Sequence, residues 1–368
     1  MLTKKANLFR IINNIYFKKN EPISLVHFIT NRCNARCSFC FIDFENSDSF
    51  KDELSLDEIN KLTKGLGKSL LNVNLTGGEP FARKDIIDIA KIYLKNTTVQ
   101  SLYITTNASL PDRIENFAKT INSIDRELDL NFQISIDDLP ENHDKVRKVE
   151  NLFDNCMDAY WRLKKLNLKN VNPVISITVS HENCDDIKNI FDYLILKCKI
   201  DSLKCTIVRD EGVYKTPIQK KKKIFESYTW LTNRIQEMTK EKKINNYNLE
   251  SIQGKIHNKK DKIAWKMIKE MYMEAKFISP CHAGSLFGII TSKGYVYPCE
   301  ILEETLLGNL RENDMNFMKI WKNNITKNTK KFIIKSKCNC TYECALSFNI
   351  LGNLRYHPQL IKAAFDRY

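Results

Sequence analysis

The chain has no run of 18 or more apolar residues, so nothing in it reads as a membrane-spanning helix. Its opening, MLTKKANLFRIINNIYFKKN, lacks the long apolar core and the small-residue cleavage site of a secretory signal. Internal repeats and low-complexity tracts are missing too. Glycine is scarce, 11 in 368 residues, which makes any adjacent pair informative about backbone geometry. Acidic residues fall short of basic ones, leaving a net charge of +14, and lysines run together in QKKKKIF and HNKKDK. A basic surface of that kind can attract nucleic acid, anionic lipid or an acidic electron donor. No basic stripe is interleaved with aromatics, as a nucleic-acid platform requires. Solvated helical faces account for the lysines.

What is present describes a cytosolic globular protein. Hydrophobic content of 43% and charged content of 28% suit a soluble fold, and the length suits one large domain with an appendage, or two to three domains. In a reducing cytosol the 12 cysteines are better read as metal ligands or catalytic groups than as disulfides. Their clustering agrees. Cys33, Cys37 and Cys40 form one group and Cys338, Cys340 and Cys344 another, with Cys281 and Cys299 between them. Cys156, Cys184, Cys198 and Cys205 are scattered and read as buried small hydrophobes.

Alternation of short β-rich runs with helical patterns fills the first 210 residues. The expected strands are 23–30, 71–76, 101–106, 130–137, 172–180 and 203–209. Segments with apolar spacing of three and four lie between them; SLDEINKLTKGL opens with a capping box, Ser55 to Glu58. Six strand–helix units with short connections predict a parallel sheet, either doubly wound or a partial barrel. Residues 216–277 read as helical and lysine-rich. Beyond them GIITSKGYVYPCE predicts a β-hairpin turning at Ser292–Gly294.

Three readings compete for TNRCNARCSFC. Buried core thiols seldom fall so close together. A zinc site would need a fourth ligand, and His27, inside the preceding strand, is awkwardly placed; structural zinc also favours two paired ligand groups. An iron–sulfur cube would take three thiolates from one loop, with one iron left free for a substrate or cofactor.

Cys33-x3-Cys37-x2-Cys40, with Phe39 before the last cysteine and a strand before the first, resembles the signature of the radical S-adenosylmethionine (radical SAM) superfamily. Other motifs at the expected strand ends agree with that resemblance. Gly77, Gly78, Glu79 and Pro80 in LTGGEP resemble the family's GGE motif, which implies contacts to the methionine amino group. Asn107 in TTNAS resembles the Thr-Asn-Gly position, although Ala108 replaces the usual glycine. Ser135 and Asp137 resemble contacts to the SAM carboxylate and ribose, and NHDKVR resembles a His-Asp-x-x-Arg stretch without its following glycine. Thr178 and Arg209 are further carry-overs, with a solvent-facing strand-end residue as the plain alternative. The resemblance covers about residues 22–210 and implies an α/β fold, a partial (β/α)6 TIM-like barrel, with ligand contacts at the C-terminal ends of the strands.

The later cysteines, with Gly294 between Cys281 and Cys299, resemble the SPASM and twitch modules that carry auxiliary clusters. A full SPASM domain needs about seven cysteines for two clusters, and five are present, so one auxiliary 4Fe–4S cluster is expected. The resemblance favours Cys281, Cys299 and Cys344 as ligands, with Cys340 ahead of Cys338 as the fourth. Structural zinc on the same thiols competes.

The expected organisation is an N-terminal extension (1–20), a radical SAM core (21–215), a helical connection (216–277) and a small cysteine-rich SPASM/twitch-like domain (278–368). The activity implied is reductive cleavage of SAM to a 5′-deoxyadenosyl radical that abstracts hydrogen from a peptide or small molecule. A ferredoxin- or flavodoxin-like donor is implied as partner, and the auxiliary cluster as an electron acceptor. No peptide-recognition domain is expected within the first 20 residues, and no cobalamin-binding segment is apparent. The rival of another class is a non-catalytic iron–sulfur or zinc protein that senses or scaffolds, on RNA if its charge is used.

Overall fold

Period-two alternation decides the architecture. The computed structural model describes residues 6–40, 42–209, 215–274 and 276–366, so parts of the expected N-terminal extension (1–5) and of the core's end (210–214) lie outside the described residues. After helix α1 (Leu8–Asn13) come six strands that pair in parallel in chain order. They are β1 (Ser24–Thr30), β2 (Asn72–Gly77), β3 (Ser101–Thr106), β4 (Asp129–Ser135), β5 (Val171–Val179) and β6 (Leu203–Ile207). Register lines up Val73, Leu102 and Leu130 in one buried row and Leu75, Ile104 and Phe132 in the next. Asn74, Tyr103 and Asn131, one residue along, share the opposite face. Side chains of a strand alternate between faces, so one side of the sheet is apolar and the other polar.

Helices cover the apolar side. They are α2 (Leu56–Lys64), α3 (Ile86–Asn96), α4 (Pro111–Ile124), α5 (Pro140–Arg147), α6 (Leu152–Lys165) and α7 (Ile187–Asp192), which runs on into a π-helical turn. Phe117 of α4 stands edge-on to both Phe81 and Phe132, which ties helix to sheet. The fourth strand stops at Ser135 and the sixth at Ile207, each two residues short of the sequence expectation. Asp137 and Arg209 therefore sit on the loops beyond their strands.

Helices α8 (Ile218–Lys240) and α9 (Ile252–Glu274) make up the lysine-rich region. Asp261 of α9 lies 3.8 Å from Lys204 of β6, so α9 packs across the polar side of the sheet. The expected hairpin forms from β7 (Phe287–Ile290) and β8 (Tyr295–Tyr297), with the Gly294 N–H donating to the Thr291 carbonyl at 2.9 Å. A short β9 (Gly308–Asn309) follows, then α10 (Phe317–Trp321), α11 (Asn324–Lys335), α12 (Glu343–Leu351) and α13 (His357–Ala364).

The hairpin does not stand apart. β7 pairs in parallel with β1, giving one nine-stranded open sheet in the order β6-β5-β4-β3-β2-β1-β7-β8-β9. Strand pairing on both flanks buries every residue of β1, and the residues after it carry the first cysteine group. Among the described residues the barrel is partial, with β6 and β9 at its edges.

Helix α2 starts on a complete capping box. Ser55 Oγ accepts from the Glu58 N–H at 3.3 Å, and Glu58 Oε2 accepts from the Ser55 N–H at 2.8 Å. Glu58 also takes two hydrogen bonds from Arg311, at 2.6 and 3.1 Å, joining α2 to the C-terminal region. Ser55→Ala should cost about 1 kcal/mol of unfolding free energy, read as a lower urea midpoint at unchanged slope.

Candidate active site and metal centres

The loop that leaves β1 is folded against the next three strand ends. The Cys40 N–H donates to the Cys37 carbonyl at 3.2 Å, which closes a tight turn between the last two thiols. Cys33 Sγ accepts from the Ala35 N–H at 3.3 Å and from Asn107 Nδ2 at 3.7 Å. The Asn107 amide also donates to Asn34 Oδ1 at 2.9 Å, so the end of β3 grips this loop directly. His27, the awkward zinc candidate, is fully buried elsewhere in the core; its Nδ1 meets the Tyr93 hydroxyl at 2.9 Å.

Gly77 and Gly78 are required by backbone proximity. The Gly78 N–H donates to Thr30 and the Glu79 N–H to Arg32, at 2.9 and 2.8 Å. A Cβ on Gly77 would lie 1.9 Å from the Thr30 carbonyl oxygen, and one on Gly78 would lie 2.3 Å from that of Arg32. Gly77 also has φ of 146°, which side-chain-bearing residues rarely adopt. Two glycines thus let the end of β2 lie against the thiol loop.

Glu79 follows, 1% exposed. Its Oε1 accepts from Thr106 Oγ1 (2.7 Å) and the Phe81 N–H (3.0 Å), and its Oε2 from the Asn107 N–H (2.7 Å). Burial pushes its carboxyl up to about 7, against the pull of those donors and of Arg147. Pro80 begins the short turn that this carboxylate caps. Ala108 has φ of 56°, the left-handed region, which accounts physically for glycine being usual there.

Asp137 is clamped from four directions. Oδ2 accepts from Arg147 Nη2 and Nε at 2.5 and 3.1 Å, and Oδ1 from the Thr178 N–H at 2.8 Å. Its own N–H donates to His143 Nδ1 at 3.2 Å, and its carbonyl accepts from Asn183 at 2.8 Å. Arg147 then reaches the thiol loop twice: its carbonyl accepts from the Arg36 N–H at 3.0 Å, and its guanidinium lies 5.8 Å from the Phe39 ring centre. Burial pushes the Cys37 thiol up, and the Arg147 charge pulls it back. Cys156 is fully buried beneath these groups, donating to the Asn107 carbonyl at 3.1 Å and lying 3.7 Å from that of Ser135.

Asp137 was expected in the site; Arg147, His143, Asn183 and Cys156 were not. The NHDKVR stretch was the available signal for two of them. Thr178 contributes its backbone here, and its hydroxyl accepts from Thr206 Oγ1 at 3.5 Å.

Arg209 goes elsewhere. Nη1 lies 2.5 Å from Glu300 Oε2, and the guanidinium sits 4.0 Å over the Tyr342 ring. These partners belong to the second cysteine group. Cys281, Cys299, Cys338, Cys340 and Cys344 all line one small apolar cluster with Phe287, Ile333 and Tyr342. Burial pushes Cys281 up to about 12 and Cys299 up to about 11; for both, the neighbouring Cys338 adds to the rise. Cys340 is pushed up by burial and then by Cys281, Cys299 and Cys338. Cys344 is raised to about 11 by burial and Glu300, and lowered by Arg209. Burial is the main cause for all of them; Cys338 adds to the rise of Cys281, Cys299 and Cys340, whereas the charges acting on Cys344 are Glu300 and then Arg209.

Thiolates around one zinc lie about 3.8 Å apart, given Zn–S bonds near 2.3 Å and tetrahedral angles. No group of three or more His, Cys, Asp or Glu among the described residues is gathered for a single ion. The donor chemistry fits iron–sulfur cofactors at both places. Burial raises the Cys33 thiol to about 11, with Cys37 and Cys40 adding to the rise. Such thiols stay protonated at neutral pH unless a cation replaces the proton. N–H groups aimed at the Cys33 sulfur are what a ligating thiolate uses.

Comparison with known proteins agrees with this geometry. Residues 28–194 match the radical SAM superfamily, and residues 281–345 match the SPASM iron–sulfur cluster-binding domain. The chain belongs to the radical SAM superfamily and carries a SPASM domain; the radical SAM domain binds a 4Fe–4S cluster and SAM, and the SPASM domain binds auxiliary iron–sulfur clusters. The sporulation killing factor maturation protein SkfB of Bacillus subtilis is 24% identical over 306 residues, 80% of this chain and 64% of SkfB. Fe-coproporphyrin III synthase of Methanosarcina barkeri is 30% identical over 182 residues, 49% of this chain and 43% of that protein. The chain thus spans less than two thirds of these relatives. Among solved structures, anSMEcpe with bound AdoMet aligns with a TM-score of 0.61 at 17% identity, over 94% of this chain and all of that one. Streptococcus suis SuiB bound to S-adenosylmethionine aligns at 0.58 and 16% identity, over 88% and 71%.

Gly77→Ala should destabilise the protein by about 2–3 kcal/mol through its clash with Thr30. Gly65→Ala, whose nearest neighbour would be at 3.4 Å, should stay within about 0.5 kcal/mol; denaturant melts of both check this. Glu79 gives a pH test on metal-free protein. Its carboxyl rises from 4.5 unfolded to about 7 folded, so its contribution is complete below pH 4.5 and lost as pH rises through about 7. Wild type should therefore lose melting temperature relative to Glu79→Gln between pH 5 and 8. Parallel curves would contradict the assignment.

Proposed function

We propose that this chain is a radical SAM enzyme that modifies a peptide, using the Cys33, Cys37 and Cys40 thiolates to hold the SAM-binding cluster. One observation carries the reading. Three thiols on one loop are gathered at the C-terminal ends of β1 to β4, where Asn107, Glu79 and Arg147 converge on the same loop. Cys33, Cys37 and Cys40 would hold a 4Fe–4S cluster, which would supply the electron for reductive cleavage of SAM and hence hydrogen-atom abstraction from the substrate.

The chain's residues then have definite work. Asn107 donates to the Cys33 sulfur, which lowers the electron density that a ligating thiolate must bear. Glu79 keeps the end of β3 in place, and its carboxyl oxygens have spare lone pairs, fitting acceptors for the amino group of SAM. Ser135, Asp137 and Thr178 border the same end of the sheet and take the remaining polar edge of the cofactor. Both Asp137 oxygens are engaged by Arg147 and Thr178, so this side chain serves by fixing the pocket's wall as much as by touching a ribose. Arg147 keeps a positive charge beside Cys37. Phe39, partly buried against the core, has its ring 5.8 Å from that guanidinium.

Cys281, Cys299, Cys344 and Cys340 are the ligands we assign to the auxiliary cluster, following the motif spacing; all four line the same small apolar cluster, as does Cys338. A ferredoxin- or flavodoxin-like protein supplies the electron. The peptide substrate is supported by SkfB, a maturation protein by its name, and by neighbours solved with peptides, anSMEcpe with Kp18Cys and SuiB with the precursor SuiA.

Anaerobically reconstituted protein should contain about eight irons and release 5′-deoxyadenosine with dithionite and SAM. The Cys33/Cys37/Cys40 triple alanine variant should keep about four irons and release none. Cys344→Ala should lose iron from the second centre, whereas Cys338→Ala should keep it. Intact cluster absorbance without 5′-deoxyadenosine would refute the enzyme reading, and four irons with one zinc would make the C-terminal centre structural.

A further inference from the structure

Arg209 was expected beside SAM, yet its close contacts lie in the SPASM domain. Glu300 Oε2 pairs with Nη1 at 2.5 Å, and Tyr342 lies flat under the guanidinium at 4.0 Å. The Tyr342 hydroxyl donates to Glu300 Oε1 at 2.7 Å and closes the triangle. Glu300 directly follows Cys299, and Tyr342 lies between Cys340 and Cys344. The triangle therefore joins two cysteine-bearing loops, remote in sequence, to the residue two beyond β6. The Ile207 N–H adds a longer contact to Glu343 Oε1, at 3.4 Å.

We propose that Arg209 is a positioning residue that clamps the two cysteine loops of the SPASM domain onto the mouth of the barrel and sets the charge beside the second centre. The inference rests on the reading that these thiols hold an auxiliary cluster. Guanidinium suits the position: one edge pairs with a carboxylate while the planar face stacks on a phenol ring. Lysine keeps the charge but cannot do both. The charge has an electrostatic consequence, because cluster potentials follow net local charge and the hydrogen bonding around the sulfurs. Arg209 and Glu300 form an ion pair directly beside Cys299 and the Cys340–Cys344 loop, so the pair sets opposite charges next to the second group.

The test uses full-length, reconstituted wild type, Arg209→Gln, Arg209→Lys and Glu300→Gln, with iron counts and electron-spin-resonance redox titrations of both centres. Hydrogen exchange at 299–302 and 340–344 is followed on the metal-free proteins, so that a variant that loads poorly is still informative. Arg209→Gln should shift the second centre to lower potential, leave the first unmoved, and speed loop exchange about tenfold or more, the loss of a charge-assisted hydrogen bond. Glu300→Gln should shift the potential the opposite way, and Arg209→Lys should restore potential but not loop protection. Equal potentials and equal exchange in wild type and Arg209→Gln, or equal shifts at both centres, overturn the inference. A wild type without a second centre overturns both the auxiliary-cluster reading and this inference.

Discussion

The ion pair between Asp137 and Arg147 is the interaction on which the site depends. A guanidinium and a carboxylate, both nearly removed from water, are costly to bury and hold their place only through the hydrogen bonds around them. Here those bonds come from Thr178 on β5 and, around the Asp137 backbone, from His143 on α5 and Asn183 beyond β5. The same arginine supplies its carbonyl to Arg36 in the thiol loop. Strand ends, helix and cysteine loop are thus fixed relative to one another by one charged group.

Around that anchor both backbone and side-chain contacts tie the strand ends to the loop. Gly77 and Gly78 let β2 touch the loop, and Asn107 and Glu79 join β3 to it. The result is preorganisation: the Cys33 sulfur and the Glu79 carboxyl, which we assign to the proposed cofactor site, are held by groups whose own positions are already determined. Such rigidity suits chemistry that makes a reactive radical, since a loosely held partner would open routes to side reactions.

Much of this was legible in the sequence because local periodicity and local burial agree. Val73, Leu102 and Phe132 alternate with polar neighbours, and the strands they mark appear within two residues of the expected bounds. The cysteine triplet was legible because one short loop carries all three donors. Arg147 was harder to place. Its partner lies ten residues away across a strand end and a helix, a distance that neither periodicity nor spacing reports. β7 was read as half of a hairpin, and its pairing with β1 could not be read at all, because a four-residue apolar run carries no record of which distant strand it joins. The ligands of the second group were ambiguous for a similar reason: spacing gives order along the chain, whereas convergence depends on how the loops fold back.

The union of β1 and β7 reaches beyond geometry into how the protein comes to exist. During synthesis, Ser24 leaves the ribosome long before Phe287, its neighbour in the finished sheet. Until then the strand that feeds the thiol loop has one open flank, a row of unmet amides that invites pairing with other chains. The flank of β1 beside the thiol loop is therefore closed only by a segment made late in synthesis.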